Sequence, residues 1–355
     1  MKFYVNGVQE TSFSTITYPT LNEDLQINHG EAIAIVAFPV PPDYFDGYMS
    51  HVALVDGQAL APTVFGETDS TSGIWKFKSP SGVTWGTNGF HLKFENSANL
   101  GLDSSGESNT FTVNGNLKQS ISTPSNVLTS LNNLSNAMAG DYTIANTTVQ
   151  SQSASNTSAP AYANYGVNKG KWYWEVKCAA INTGSWTYSL IGITALLRSS
   201  NAQYNHLGNK PEDYGYYSYN GHIMNNAGSG NTGTAYGNTY TLNDIIGVAL
   251  DLDNNKLYFH KNGTYQDSGV PTSGSTGTGA VSITDPDGLG DGVYYPAVGD
   301  YHYNPRYTFQ MNFGEGRFGT TAITSAGSNG NGSLFEYDVP SGYYALSTKN
   351  INTYG

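Results

Sequence analysis

The chain has 355 residues and a formal charge of −12, because 27 acidic side chains outnumber 15 basic ones. So few basic side chains argue against a nucleic-acid-binding surface, which needs clustered Lys and Arg. They also argue against charge-driven binding to an anionic membrane surface. Only 12% of residues are charged, 13% are aromatic and 42 are glycine, which excludes general disorder and indicates short strands joined by many turns.

Cysteine content and hydropathy limit the class of protein further. Cys178 is the only cysteine, so the chain has no internal disulfide and no cysteine-based metal site, and we interpret Cys178 as a small buried hydrophobe. No apolar run is long enough for a membrane span, and no secretory signal follows Met1, so we expect no membrane insertion. The protein would be made in a cytoplasm and leave it without a cleaved signal, for instance inside virus particles released by lysis.

Three stretches follow one another along the chain. Residues 1–120 carry strand and turn patterns and predict an N-terminal β domain. Residues 121–168 are rich in Ser, Thr and Asn and predict a connecting segment, within which residues 126–138 show weak helical spacing. Residues 169–355 alternate aromatic strands with Gly/Asn loops, and their spacing predicts a sandwich of two antiparallel sheets.

The clearest strands lie in the third stretch. Residues 171–177 alternate strictly, which predicts a half-buried strand with Trp172, Trp174 and Val176 on one face. Residues 245–252 and 257–260 flank an Asp/Asn-rich turn and predict a β-hairpin, because Asp and Asn bond their own backbone and tolerate positive φ. Further strands are predicted at residues 188–194, 215–219, 293–298, 307–312 and 343–346.

Seven motifs stand in order in this part of the chain. They are GKWYWEV (170–176), IGI (191–193), DYGYYSYNG (213–221), DIIGVALDLDNNKLYFHKNG (244–263), YYPAV (294–298), MNFG with a later Phe (311–318) and PSGY (340–343). In this order they resemble the SPRY domain family, and the resemblance covers residues 165–355. It implies an antiparallel β-sandwich of concanavalin-like jelly-roll type that binds partners without catalysis. The amino-acid sequences of the third and last motifs are most similar to those in SPRY-like domains of bacteriophage virion proteins.

The N-terminal domain resembles part of a second family. Its motifs are YVNG (4–7), YFDGY (44–48), HVALVDGQAL (51–60) and TNGFHLKF (87–94), which resemble the second half of a concanavalin/laminin-G-like lectin domain. In large phage tail-fibre and adhesin proteins, such lectin-like and SPRY-like pieces occur in tandem. We therefore expect an N-terminal β-sandwich-like domain that serves assembly or anchoring, since an incomplete sheet exposes edges that recruit strands.

No constellation in the sequence predicts catalysis. Asp251 and Asp253 invite comparison with a glycosidase carboxylate pair, but acids at a turn are more simply explained as turn caps. The seven histidines lack metal-site spacing. No cofactor is predicted, and the one alternative left open is a structural calcium at Asp285, Asp287 and Asp291, where acids are spaced by glycines; a solvated turn is the other interpretation.

Tyrosines in loop-rich stretches give the functional prediction. Tyrosine offers rigid, amphipathic contact area at low entropy cost, although strand alternation should bury about half of them. By family analogy the binding site lies on loops at one end of the sandwich. The candidate ligand-binding residues are Tyr204, Asn205, Tyr214, Tyr216, Tyr217, Tyr219, Asn220, Tyr301, Tyr303 and Arg306.

Together these patterns predict a non-enzymatic bacteriophage virion protein, located in the virion. The favoured placement is a tail fibre or receptor-binding protein, trimeric if a fibre, whose SPRY-like domain contacts host polysaccharide or another surface receptor. A capsid decoration protein is the alternative placement. The expected partners are other virion proteins and the host surface. Rival hypotheses from other classes are a glycan-degrading depolymerase and a free cytoplasmic adaptor that binds a peptide.

Overall fold

A computed structural model describes residues 2–20, 33–35, 37–39, 42–44, 47, 49–70, 73–115, 117–123, 126–134, 140–143, 146–151, 160–181, 188–198, 205–228, 233–301 and 307–355. The chain divides into two compact units, Met1–Ser125 and Asn126–Gly355. The boundary between the units lies five residues after residue 120, where the N-terminal domain was predicted to end.

The first unit is built from short antiparallel pairs. Its strands are β1 (Phe3–Val5), β2 (Val8–Glu10), β3 (Ala37–Pro39), β4 (Pro42–Tyr44), β5 (Val52–Leu54), β6 (Gly66–Thr68), β7 (Trp75–Phe77) and β8 (Phe90–Leu92). They pair as β1–β2, β3–β4, β5–β8 and β6–β7, and residues Pro62–Val64 form a 3-10 turn. The β1–β2 turn at Asn6 and Gly7 has positive φ at both residues, as its sequence predicts. Residues 45, 46 and 48 of the predicted YFDGY motif lie outside the described residues.

The second unit holds the remaining strands. They are β9 (Gly140–Thr143), β10 (Thr148–Ser151), β11 (Ala161–Tyr162), β12 (Lys171–Ile181), β13 (Ser189–Thr194), β14 (Asp213–Tyr217), β15 (His222–Met224), β16 (Thr234–Ala235), β17 (Ile245–Asp251), β18 (Lys256–Lys261), β19 (Thr264–Tyr265), β20 (Val281–Ser282), β21 (Tyr295–Asp300), β22 (Tyr307–Asn312), β23 (Arg317–Phe318), β24 (Thr321–Ala322) and β25 (Tyr344–Ala345). Two 3-10 segments, Gln266–Ser268 and Pro271–Thr276, and helix α1 (Thr348–Tyr354) complete it. None of the helices in the described residues is long and apolar enough to cross a membrane.

Two sheets dominate this unit. One has the order β19-β18-β17-β12-β22-β10-β9, with β20 beside β18 and β25 beside β12, and the other has the order β11-β21-β13-β14-β15-β16. The pairing is antiparallel except between β12 and β25. The predicted hairpin is present as β17–β18, with Asp251 opposite Lys256. The all-β prediction and the antiparallel sandwich of the C-terminal part are thus confirmed.

The predicted connecting segment of residues 121–168 is wrong for most of its length. Its strands β9, β10 and β11 belong to the two large sheets, and β10 pairs directly with β22. Leu128 and Leu131 are buried and make isolated bridges to Ser347 and Ala163, so the described part of the candidate helix 126–138 is extended rather than helical. The prediction failed because this stretch is rich in small polar residues. A short strand can pair within a sheet even when it carries few large apolar side chains.

The core between the sheets follows strand alternation. Trp174 and Val248 from the first sheet meet Ile191 and Val298 from the second in one buried cluster. The predicted face of Trp172, Trp174 and Val176 is part of that core. Burial of large apolar side chains from both sheets is the main stabilising term of such a sandwich.

The middle of the opposite face of β12 is also buried, which the prediction of a half-buried strand did not include, while Lys171 and Lys177 at its ends are half-buried. Tyr173 and Glu175 on that face are 0% exposed. The C-terminal part of the chain covers them: the ring of Phe335 packs edge-on against Tyr173 at 4.9 Å between centroids. The alternating pattern gives no sign of this third layer, because Tyr, Lys and Glu on a strand normally face solvent.

A polar network holds this outer layer in place. The Glu175 carboxylate accepts hydrogen bonds from the backbone N–H groups of Glu336 (2.9 Å) and Tyr337 (2.8 Å), from Asn312 Nδ2 (3.1 Å) and from the Tyr173 hydroxyl (3.1 Å). The Tyr173 hydroxyl also bonds His260 Nε2 at 2.7 Å. Burial raises the pKa of Glu175 to about 7, although these four donors act in the opposite direction.

Gly247 tests how tightly this layer is packed. A Cβ at Gly247 would lie 1.8 Å from His260 Nε2, so Gly247→Ala must displace the His260 ring and break its bond to Tyr173. We expect a loss of about 2–4 kcal/mol in the free energy of unfolding, measured by urea denaturation of the full chain. Gly228→Ala is the matched control, because nothing lies within 4 Å of its Cβ position. Equal losses in the two variants would contradict the packing described.

Glu175 should also give a specific pH dependence. Its pKa is raised in the folded chain, so the folded state binds more protons than the unfolded state between its ordinary value of 4.5 and about 7. Its contribution to stability is therefore complete below about pH 4.5 and is lost as the pH rises towards 7. We expect the unfolding free energy of the wild type, minus that of Glu175→Gln, to decrease between pH 5 and pH 8. A difference that stays constant over that range would mean that the hydrogen bonds outweigh burial and keep the pKa of Glu175 at or below its ordinary value.

Candidate functional site

Strand β14 divides the predicted tyrosines between core and surface. Tyr214 and Tyr216 point into the core cluster, with exposures of 6% and 0%, and the Tyr216 hydroxyl bonds the backbone carbonyl of Asn238. These two predicted ligand-binding residues are therefore structural. Asp213, Gly215 and Tyr217 alternate with them and lie on the outer face of the six-stranded sheet, since successive strand residues point to opposite faces.

Four tyrosine rings gather on that outer face. Tyr217 lies 5.2 Å from Tyr301 and 5.9 Å from Tyr219, and Tyr188 lies 5.6 Å from Tyr219, as distances between ring centroids. We call this group, Tyr188, Tyr217, Tyr219 and Tyr301, the tyrosine face. Tyr219 is 47% exposed, Tyr188 and Tyr301 are half-buried, and Tyr217 is buried beneath them. The group thus has a rigid base and an open upper edge.

The remaining predicted ligand-binding residues divide into two groups. Asn205 and Asn220 are half-buried, and Asn220 Oδ1 accepts the backbone N–H of His222 at 3.1 Å, which caps the turn after β14. Tyr204, Tyr303 and Arg306 lie outside the described residues. The structure therefore brings Tyr217, Tyr219 and Tyr301 together as predicted.

A buried ion pair lies on the same side of the sheet. Asp213 is fully buried and accepts hydrogen bonds from the Arg198 guanidinium, from the Thr194 hydroxyl (2.7 Å) and from the backbone N–H groups of Gly208 (3.0 Å) and Lys210 (3.1 Å). Burial raises the pKa of Asp213, and Arg198 opposes this. One carboxylate thereby fixes both ends of the loop that leads from β13 into β14.

His206 connects this ion pair to the tyrosine face. Its ring lies 4.4 Å from the ring of Tyr301, and its side chain is almost completely buried. Burial lowers the pKa of His206 to about 4, and the nearby Arg198 charge adds to this, whereas a hydrogen bond to the backbone of Ala227 acts against it. The imidazole is therefore neutral near pH 7.

The predicted calcium ligands are not gathered around one point. Asp285 Oδ1 accepts the backbone N–H of Asp287 at 2.9 Å and so caps a turn, whereas Asp291 Oδ2 accepts the backbone N–H of Leu197 at 2.6 Å and links two distant segments. Within the described part of the chain, no three His, Cys, Asp or Glu side chains form a group that could hold a metal ion. Calcium binding to this stretch stays a prediction.

The acidic pair considered for glycoside hydrolysis has structural partners. Asp251 is fully buried and bonds Lys171 Nζ at 2.9 Å and Asn254 Nδ2 at 2.9 Å. Asp253 Oδ1 accepts the backbone N–H of Gly170 at 3.0 Å. Both carboxylates therefore close the turn of the β17–β18 hairpin against the start of β12, as turn caps do.

The prediction omitted four residues of this region: Tyr188, Arg198, His206 and Asp213. A signal for Asp213 existed, because period-two alternation puts it on the face opposite Tyr214 and Tyr216. Arg198 is one of only three arginines in the chain, and a rare cation near an outward-facing acid suggests a buried pair. No sequence signal places His206 beside Tyr301, because about 95 residues separate them.

Comparison with known proteins identifies the domain type. Residues 171–315 match the SPRY domain family, so the expected SPRY fold of the C-terminal part is confirmed. Over 95 residues, 26% of this chain, it is 37% identical to Ran-binding protein 9 of Danio rerio, 36% to Ran-binding protein 9 of Homo sapiens and 35% to a Ran-binding proteins 9/10 homolog of Drosophila melanogaster. The matched segment spans 14%, 12% and 9% of those proteins, respectively. The SPRY domain of human HERC1 aligns with a TM-score of 0.34 at 20% identity, covering 46% of this chain and 87% of that one.

These relatives overturn the predicted virion role. The matching proteins are animal Ran-binding proteins, so the predictions of a tail fibre, a capsid decoration protein, host-polysaccharide or virion partners and a virion location are wrong. The trimer expected of a fibre and the glycan-degrading depolymerase given as an alternative belong to the same functional prediction and are overturned with it. The prediction failed because the motif residues Trp172, Tyr216 and Tyr343 are buried in the core, so they indicate a fold and not a source.

Asp213 provides a test of the buried ion pair. Asp213→Asn removes the charge that neutralises Arg198, so the variant would hold an uncompensated buried cation. We expect the free energy of unfolding in urea to fall by about 3–5 kcal/mol. Asp287→Asn, at an exposed acid in a turn, is the matched control and should stay within about 0.5 kcal/mol of the wild type. A small effect at Asp213 would show that the pair does not exist in solution.

Proposed function

We propose that the C-terminal unit is a protein-binding module that captures a peptide segment of a partner through the tyrosine face. The observation that carries this proposal is the arrangement of Tyr188, Tyr217, Tyr219 and Tyr301, with ring centroids 5.2–6.4 Å from their neighbours and Tyr219 47% exposed. Aromatic residues that are rigidly held from below and open above are typical of binding hot spots.

The acidic side chains and the histidine near the tyrosine face support binding without catalysis, because they are buried or already hydrogen-bonded. The two acids that could have formed a hydrolytic pair, Asp251 and Asp253, cap the β17–β18 turn. Beside the tyrosine face, Asp213 is occupied by Arg198 and three further donors, and His206 is neutral near pH 7 and buried. A general acid or base must reach a substrate proton, which these buried groups do not do as they stand. The chain is accordingly proposed to act by binding alone.

The kind of partner is inferred from the chemistry of the tyrosine face and not from the names of the relatives. The relatives are named for binding Ran, but the shared segment is at most 14% of their length, so the name does not say which part of them binds Ran. A half-open group of tyrosines suits a peptide that offers one or two apolar or aromatic side chains together with backbone polar groups. Peptide binding was among the hypotheses that the sequence left open, and the tyrosine face now supports it.

The N-terminal unit carries a separate proposal. Its likeness to a lectin-like segment is supported by the tight β1–β2 turn at Asn6-Gly7 and by the antiparallel pair β5–β8. The proposal concerns ancestry and fold only, and it assigns no sugar ligand to the chain. Peptide binding by the C-terminal unit does not depend on it.

A displayed random-peptide library, panned against the full chain, tests the proposed function. We expect enriched sequences that bind the wild type at least about tenfold more tightly than Tyr219→Ala, because truncating a hot-spot tyrosine costs about 2 kcal/mol or more. Tyr18→Ala is the matched control, since Tyr18 is 69% exposed and lies in the N-terminal unit. Enriched peptides that bind both variants equally, or a library without enrichment, would contradict peptide capture at the tyrosine face.

A further inference from the structure

Two histidines of the N-terminal unit are bonded ring to ring. His51 directly precedes β5, and His91 lies in the middle of β8, the strand that pairs with β5. His51 Nδ1 and His91 Nε2 are 3.3 Å apart and share one hydrogen bond. His91 is 3% exposed, and His51 is half-buried. The bond needs one of the two nitrogens to carry a proton and the other to accept it. We call these two residues the histidine pair.

Aromatic rings enclose the histidine pair from both ends. The His51 ring stacks on Phe77 of β7, with 3.5 Å between centroids and 7° between planes. Trp85 stacks on His91, with 5.4 Å between centroids and 19° between planes. These contacts hold the two imidazoles facing each other. Burial among rings also leaves little water to solvate positive charge on the pair.

The backbone of His51 is held in an uncommon conformation. Its φ is +53°, in the left-handed region, which residues other than glycine seldom occupy unless their surroundings hold them there. The described side-chain contacts that do so are the stack on Phe77 and the hydrogen bond to His91. Loss of these contacts would let the backbone at the entry to β5 return to a more common conformation. The segment thus has a held and a released arrangement.

Protonation acts on the shared hydrogen bond in two steps. A neutral pair and a singly protonated pair both retain one donor and one acceptor, so the bond persists. A second proton removes the acceptor and places two cationic N–H groups against each other at 3.3 Å. The two rings therefore titrate as a coupled pair, and the second step needs a lower pH than the first. Separation of the rings relieves the repulsion.

The charges around the histidine pair favour its neutral form. Burial lowers the pKa of both His51 and His91, and the charge of Lys93 lowers both further. A charge on His51 also lowers the pKa of His91, whereas Glu95 raises both values and Asp103 raises that of His91. The folded chain therefore binds fewer protons here than the unfolded chain. The contribution of the pair to stability is present above the ordinary value of 6.5 and is lost as the pH falls through the lowered values.

We propose that the histidine pair is an acid-sensitive switch in the N-terminal unit, closed while at least one ring is neutral and open when both rings are cationic. Opening separates His51 from His91 and Phe77 and releases the backbone at the entry to β5. Histidine is the side chain whose charge ordinarily changes between pH 5 and pH 8, so the switch responds to mild acid. The inference goes beyond peptide binding by the C-terminal unit and does not depend on it.

NMR of the full chain tests the coupling of the two rings. The imidazole signals are followed from pH 8 to pH 4.5, and we expect those of His51 and His91 to change together in two steps. Amide hydrogen exchange, corrected for its intrinsic pH dependence, then reports opening: we expect about a tenfold loss of protection in β5 and β8 between pH 7.5 and pH 5. Independent single-step titrations, or unchanged protection at pH 5, would overturn the switch.

A variant at His51 separates the switch from a general effect of acid. His51→Asn removes one imidazole but suits the same backbone, because asparagine accepts positive φ readily. We expect His91 to titrate in a single step and the acid-dependent loss of protection to fall below about twofold. His222→Gln, at a half-buried histidine of the second unit, is the matched control and should keep the wild-type response. Equal losses in His51→Asn and the wild type, both with native thermal unfolding at pH 7.5, would contradict the proposal.

Neighbouring charges give a test that leaves both rings in place. Lys93 and Glu95 form an ion pair at 3.6 Å, and their side chains are 33% and 69% exposed. Lys93→Met removes a charge that opposes protonation, so the pH of opening should rise, and Glu95→Gln should lower it, each by about 0.2–0.5 of a pH unit. Shifts in the same direction, or no shift in either variant, would show that opening does not follow the titration of the histidine pair and would overturn the switch.

Discussion

The carboxylate of Asp213 is the group on which the candidate site depends. It sits on the outer face of β14, fully buried, and binds the Arg198 guanidinium, the Thr194 hydroxyl and two backbone N–H groups of the preceding loop. Because the carboxylate is buried, each of these bonds is stronger than it would be at the surface, and removing any of them lowers the free energy of unfolding substantially. The loop that contains His206 is thereby held against the sheet, and His206 in turn contacts Tyr301.

Both large sheets of the second unit have side chains packed on their outer faces, but the two outer layers differ in how completely they are closed. On the nine-stranded sheet, the Glu175 carboxylate satisfies backbone donors of residues 336 and 337 and closes the layer, leaving Tyr173 fully buried. On the six-stranded sheet, the covering includes the smaller cluster of Tyr162, Leu190 and Leu207, with Tyr188 and Tyr301 packed only partly against it. Within the described residues, ring surface of Tyr219 thus stays exposed on this side, and the proposed contact with a partner rests on it.

Sequence patterns predicted the fold well because they report strand alternation and turn chemistry. The hairpin β17–β18, the core face of Trp172 and Trp174, and the strand Tyr307–Asn312 all follow from local rules. The same rules give no information on what covers the second face of a strand, so Glu175 was predicted on a solvent-facing side and residues 121–168 were predicted as a connecting segment. Burial of polar residues depends on contacts between distant segments, which a single sequence does not display.

The site was predicted in part, for the same physical reason. Tyr219 and Tyr301 were identified because tyrosine in loops is unusual enough to suggest contact, whereas Tyr214 and Tyr216 were assigned to the surface although their alternation with Asp213 places them in the core. Source and partner were wrong because the motifs that suggested a phage particle are those that build the sandwich. The groups that surround the tyrosine face, such as Arg198 and His206, lie outside those motifs. Motifs that build a shared core therefore predict the fold, whereas function has to be argued from the groups on its surface.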